Sequence, residues 1–172
     1  SLENLGDMEN LEQSLTWQQK AINLIPEDHP DKPFVLNNLG IIFLQHFQNL
    51  GQMEDLKQSL RCMQEAIDLT LEGDPDRPYQ LSNLGSILQT HLKYLGDMEY
   101  LEESLRCMQA AVDLTPEGHL DMLSRLNNLG NILCTHFETL EDMEDLEESL
   151  RCKAVDLTPE GHPDRPYRLS YL

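Results

Sequence analysis

The stretch PYQLSNLGSILQTHLKYLGDMEYLEESLRCMQAAVDLTPEGHLDM, residues 78–122, is one complete unit of a pattern that fills this 172-residue chain. Its landmarks return every 45 residues: Gly40, Gly85 and Gly130, and Met8, Met53, Met98 and Met143. The run LEESLRC at 101–107 recurs unchanged at 146–152. A period between 20 and 50 residues marks a stacked array, in which each unit buries its apolar face against the next. Such an architecture points to a binding scaffold.

Within the unit, Leu81, Leu84, Leu88, Leu92 and Leu95 fall at helical spacing and the segment ends at Gly96. This is helix A. Asp97 is placed to cap a second helix, helix B, with the apolar stripe Leu101, Leu105, Met108 and Val112 and acidic residues in its first turn, closing near Leu114. The segment TPEGHLD then turns the chain back toward the next helix A. The resulting units are 33–77, 78–122 and 123–165, the last two residues short, preceded by a half unit at 1–32 and succeeded by a stub at 166–172. Ser1 at the start reads as the edge of an excised fragment, and SLENLG as the tail of a helix A.

Leu, Glu, Met, Gln and Ala are common while β-branched and aromatic residues are sparse, which favours helix. No apolar run approaches membrane-spanning length and no leader is recognisable. The net charge of −19 repels phosphate backbones and anionic lipid, so neither nucleic acid nor membrane is an expected partner. A basic or neutral protein segment suits it better. Cys62, Cys107 and Cys152 occupy one position in successive units, roughly 10 Å apart if the units stack, which is too far for a disulfide. Without a CxxC pair no zinc site is expected, and reduced cysteines imply an intracellular, cytoplasmic protein. No nucleophile motif, Gly-rich phosphate loop or ligand cluster is visible, so neither catalysis nor a cofactor nor a metal is expected.

The NLG of helix A, the Gly-Asp turn, the small Ala111 and the closing Pro116 resemble the tetratricopeptide (TPR) family, whose usual period is 34. Four extra residues in helix A, three in helix B and four in the loop account for the longer unit. Such lengthened units, with HPD in the loop and LNNLG after it, are similar to those of kinesin light chains and of fungal TPR arrays attached to CHAT peptidase or NTPase receptor domains. The resemblance implies an all-α, right-handed superhelical solenoid of antiparallel helix pairs, seven helices in all, with helix A lining a concave ligand groove. Between Cys152 and Ala154 the last unit lacks two residues, which rotates the remainder of that helix by about 200° and implies a shorter last helix B.

Comparing units with one another separates constant from variable positions. In helix A the constant ones include Leu36/Leu81/Leu126, Leu39/Leu84/Leu129, the glycines and His46/His91/His136, read as packing residues. Variable are Phe34/Tyr79/Ser124, Ile41/Ser86/Asn131, Leu44/Gln89/Cys134, Gln45/Thr90/Thr135 and Gln48/Lys93/Glu138, one stripe at helical spacing. In helix B the positions read as outer, Ser59/Ser104/Ser149, Arg61/Arg106/Arg151 and Cys62/Cys107/Cys152, stay fixed. If exposure alone permitted change, both helices would vary, so the stripe reads as recognition. Beside it, Asn38, Asn83 and Asn128 form a constant ladder that either bonds the main chain of an extended peptide or ties neighbouring helices together. The candidate groove is therefore Phe34, Asn38, Ile41, Gln45, Tyr79, Asn83, Ser86, Gln89, Lys93, Asn128, Asn131, Cys134 and Glu138.

Other features take structural readings. The His29-Pro30-Asp31 tripeptide becomes Asp74-Pro75-Asp76 and His119-Leu120-Asp121 in later loops, which reads as a turn with an Asp cap. The acidic run Glu141 to Glu148 reads as a solvated helix start. At the array ends, exposure of Leu11, Leu15 and Trp17 predicts self-association. The alternative functions are a ligand-sensing segment of a larger receptor or peptidase protein, or a self-assembling structural element.

Overall fold

The computed structural model describes residues 2–140 and 148–150, with side chains over 10–139 and 148–150. The shortened last helix B around Cys152 to Ala154, the residues 141–147 of the acidic run, the tripeptide at 162–164 and the stub at 166–172 lie outside the described residues. Six helices are described: α1 (Leu2–Leu24), α2 (Lys32–Leu50), α3 (Met53–Leu69), α4 (Arg77–Leu95), α5 (Met98–Asp113) and α6 (Met122–Leu140). Residues 148–150 are also helical, and there is no strand among the described residues. The fold is all-α. Helices α2, α4 and α6 are the helices A, each 19 residues long.

Two of the A-to-B turns are made by a glycine: Gly96, read from the sequence as the end of a helix A, and Gly51, its counterpart 45 residues earlier. Gly51 and Gly96 take φ of 71° and 70°, a left-handed conformation that costs a glycine nothing sterically. Each amide closes the preceding helix on a carbonyl four residues back, Gly51 on Phe47 at 2.7 Å and Gly96 on Leu92 at 2.8 Å. Asp97 then accepts the Glu99 amide at 3.0 Å and caps α5. The Gly6-Asp7 pair behaves differently: α1 is continuous through it, although the motif reads as the end of a helix A.

The chain divides into two compact units, 1–87 and 88–172. In the first, Leu36, Leu39 and Phe43 of α2 pack with Cys62 and Ala66 of α3, and Leu15 and Ile22 of α1 lie against them. The α2 and α3 helices run antiparallel: His46 near the end of one meets Asp55 near the start of the other, and Gly40 meets Ser59. In the second unit Leu101 and Met108 of α5 pack with Leu129, Ile132 and Leu133 of α6, flanked by Leu92, Leu105, Val112 and Leu126. Of the three residues expected to be bare at the first end, only Trp17 is, at 66% exposure with the Lys20 ammonium 4.6 Å from its ring. Leu11 and Leu15 are half-buried, Leu15 because α1 lays it against the α2–α3 cluster.

The constant positions of helix B require a correction. Ser59, Ser104 and Ser149 have no exposure at all, and Cys62 and Cys107 are buried, so they are inner positions and not outer ones. The reason is the small size of Ser104 and Ala111, which lets the neighbouring backbone approach and turns the buried face toward 101, 104, 108 and 111. Leu105 and Val112, read as the centre of the stripe, are half-buried at its edge. The serine hydroxyl is satisfied by main chain: Ser59 donates to the Gly40 carbonyl at 2.7 Å and Ser149 to the Gly130 carbonyl at 2.8 Å. Sequence held a signal for this pairing, the constant spacing of 19 between Gly40, Gly85 or Gly130 and its serine.

Candidate functional site

Every residue of the candidate groove lies on a helix A, and none is buried. Phe34, Gln45, Tyr79, Lys93, Asn131 and Glu138 are exposed, while Asn38, Ile41, Asn83, Ser86, Gln89, Asn128 and Cys134 are half-buried. In the second unit the last half of α4 and the last half of α6 enclose a cleft of about 450 Å³ lined by Gln89, Thr90, Leu92, Lys93, Thr135 and Thr139. Gln89, Thr90, Lys93 and Thr135 all belong to the variable stripe. The cleft therefore brings two helices A together through stripe positions, with amide, hydroxyl and ammonium groups around a single leucine. Most of the surface that these residues expose to the cleft is nevertheless apolar, from Leu92 and the carbon stems of the other side chains.

Other stripe residues are engaged locally. The Ser86 hydroxyl donates to the Ser82 carbonyl at 3.1 Å, and the Cys134 sulfur lies 2.6 Å from the Ser149 hydroxyl. In the asparagine set, Asn83 donates its side-chain amide to Asn37 Oδ1 at 3.1 Å, across two helices A of the first unit. Asn37 in turn approaches Asn38 Oδ1 at 3.4 Å. One donor of Asn83 is thus committed to a helix-to-helix link, as the structural alternative for the ladder requires. The buried member of the pair is Asn37, 2% exposed, which sequence reasoning passed over because Ser82 stands at the equivalent place in the next unit.

The contrast between helices A and B does not stand on the Ser and Cys positions. Fixed Ser and Cys positions are fixed because they are buried, while the exposed position Lys57/Glu102 varies. Glu54/Glu99, Arg61/Arg106, Gln64/Gln109 and Asp68/Asp113 are both constant and exposed. The case for helix A rests on the cleft.

The histidines sit in the packing. His46 is 8% exposed with Nδ1 at 2.7 Å from the Asp55 carboxylate, and His91 is 1% exposed with its ring 5.1 Å from that of Tyr100. Cys62 and Cys107 are free thiols pushed up to about 11 by burial. Thiolate is therefore disfavoured at neutral pH, which argues against a reactive nucleophile at either place. Among the described residues no His, Cys, Asp or Glu group is placed to hold a metal ion, and no helix is long and apolar enough to cross a membrane.

The inter-unit loops depart from the expected Asp cap. Asp31 stands at the N-cap position without a side-chain cap bond. The first residue of each tripeptide does the bonding instead: His29 Nδ1 accepts the Asp31 amide at 3.2 Å, Asp74 Oδ1 the Asp76 amide at 2.9 Å, and His119 Nδ1 the Asp121 amide at 3.2 Å. His and Asp interchange there because each offers an acceptor three residues ahead of the first helical residue.

Residues 122–164 match the family model of the tetratricopeptide repeat. No curated protein matches the chain. Among solved structures, the fold is similar to the nearly identical TPR-like repeats of a Podosopora anserina protein named as a kinesin light chain, with a TM-score of 0.59 and 16% identity over 94% of this chain and 72% of that one. A tetratricopeptide repeat is thus matched over 122–164, in a chain whose fold is similar to that of TPR-like arrays.

Proposed function

We propose that this chain is a protein-interaction scaffold that holds an extended peptide segment along its helices A. The observation that carries the reading is the cleft in which Gln89, Thr90, Lys93 and Thr135, positions that differ from unit to unit, line one cavity. Constant packing beneath and variable polar groups above is what selective recognition by a repeat array needs. With a net charge of −19, the favoured partner is a basic segment, drawn in by the field of the whole chain. No catalytic role enters this reading, and the place of action proposed for it is the cytoplasm.

Peptides selected by display against the whole chain provide the test. Filling the cleft by Thr135→Trp is expected to weaken a selected peptide at least tenfold with the helical circular dichroism unchanged, while Arg106→Trp on the exposed side of α5 has no effect. Association rates should also fall as salt rises from 0.01 to 0.1 M and the Debye length shortens from about 30 to about 10 Å. Equal affinity for the Thr135→Trp variant would refute the helix A reading. Rates indifferent to salt would refute the basic partner alone.

A further inference from the structure

The loop edge of the first unit carries a second cavity, about 720 Å³, at some remove from the helix A cleft in chain position and in chemistry. It opens between the α1–α2 and α3–α4 connections. Ile25, Pro33, Phe34, Leu69 and Leu71 give it apolar walls, and Phe34 and Leu71 remain 58% and 79% exposed. Asp31, Asp74 and Asp76 give it an acidic lining. Gln80 lines it too, only 3% exposed, and Gln80 Oε1 has no hydrogen-bond partner among the described residues. A buried carbonyl oxygen left without a donor has lost its water without replacement, so this position calls for a donor.

The next unit shows what that donor is. Gln80, Asp76 and Thr70 of the first cavity correspond, 45 residues on, to Arg125, Asp121 and Thr115. There the arginine is 6% exposed, and its guanidinium donates to the Thr115 hydroxyl and, at 3.2 Å, to Asp121 Oδ2. The two threonines are set alike, Thr70 bonding the Ala66 carbonyl and Thr115 the Ala111 carbonyl. One unit therefore fills its threonine–aspartate frame with an internal guanidinium. The other has the same frame, a shorter glutamine, and an open cavity.

Neighbouring cations do not close it. Arg77 donates to the carbonyls of Ile67 and Thr70 at the end of α3, and Lys32 is held by Glu27 and Glu65. Neither lines the cavity. We propose that this cavity receives an arginine side chain from a partner peptide, taking the place that Arg125 holds in the following unit. The forked guanidinium supplies a donor for Gln80 and further donors for the aspartates, and Phe34 and Leu71 cover an apolar residue beside it. This site is additional to the helix A cleft.

The test uses the whole chain and the peptide Ac-Ala-Leu-Arg-Leu-Ala-amide, with glutamine in place of arginine as control, monitored by amide shifts in NMR. The arginine peptide is expected to move the Gln80 side-chain amide and the backbone of Leu71 and Asp74, and to bind at least tenfold tighter than the control. Gln80→Arg should fill the cavity from within, raising the melting temperature and abolishing binding. Asp76→Asn should weaken binding severalfold while the fold persists. The proposal is overturned if the two peptides bind alike, if neither binds at millimolar concentration, or if Gln80→Arg binds as the wild type does. Shifts centred on Gln89 and Thr135 would also overturn it, by assigning the peptide to the helix A cleft, whose own test is separate.

Discussion

Leu101→Ala is expected to be among the most damaging single truncations in the chain, at about 2–5 kcal/mol. Leu101 is wholly buried in α5 and sits in one cluster with Met108, Leu129, Ile132 and Leu133. Truncation removes the transfer energy of the side chain and leaves a cavity between two helices that small residues already hold close. In a chain of this length the loss corresponds to a fall in melting temperature of roughly 5–15 °C. Leu114→Ala, at a residue 48% exposed just past the same helix, should change stability by less than about 0.5 kcal/mol. Urea unfolding of the two variants compares them directly, and equal midpoints would contradict the assigned face of helix B.

The second large effect is expected at Gly40. A Cβ placed there would lie 3.2 Å from the Ser59 main-chain oxygen and 3.3 Å from Met63 Cε. The methionine end can move away, but the carbonyl cannot, since it belongs to the α3 backbone. At the same level the Ser59 hydroxyl bonds the Gly40 carbonyl, so any widening of the helix pair also strains that bond. Gly40→Val combines overpacking of about 1–3 kcal/mol with the loss of a hydrogen bond worth about 1 kcal/mol. Gly40→Ala should forgo the gain of nearly 1 kcal/mol that alanine brings to an open helix. Ser59→Ala alone should cost about 1 kcal/mol. A valine variant as stable as the wild type would show that α2 and α3 do not meet through this glycine.

These two cases also show what the sequence made legible. The period, the three helices A, the glycine turn at Gly96 and the Asp97 cap were readable, because each rests on local chemistry that recurs at fixed spacing. The orientation of helix B was not. A stripe drawn through Leu101, Leu105, Met108 and Val112 ignores small and polar residues, and it is Ser104 and Ala111 that let the helices approach. A serine reads as outer until a main-chain carbonyl is found opposite it, and that carbonyl is 19 residues away. The extension of α1 through Gly6 was hidden as well, because the Gly-Asp pair reads as a turn in its local chemistry.

The candidate surface was legible in part. The repeat comparison found positions that are accessible and vary, and two of the helices A carrying them do enclose a cleft. It missed the first unit's loop cavity, because position 35/80/125 reads Val, Gln, Arg and offers no recurring signal. Only the side-chain bonds of Arg125 reveal what the Gln80 position lacks.

The central claim is that helices A carry the contact face, and amide hydrogen exchange of the chain with and without a display-selected peptide tests it most directly. The account predicts added protection in α6 and in residues 88–95 of α4, with α5 unchanged. Protection concentrated on α5 around Arg106, with α4 and α6 exchanging as in the free chain, would contradict it.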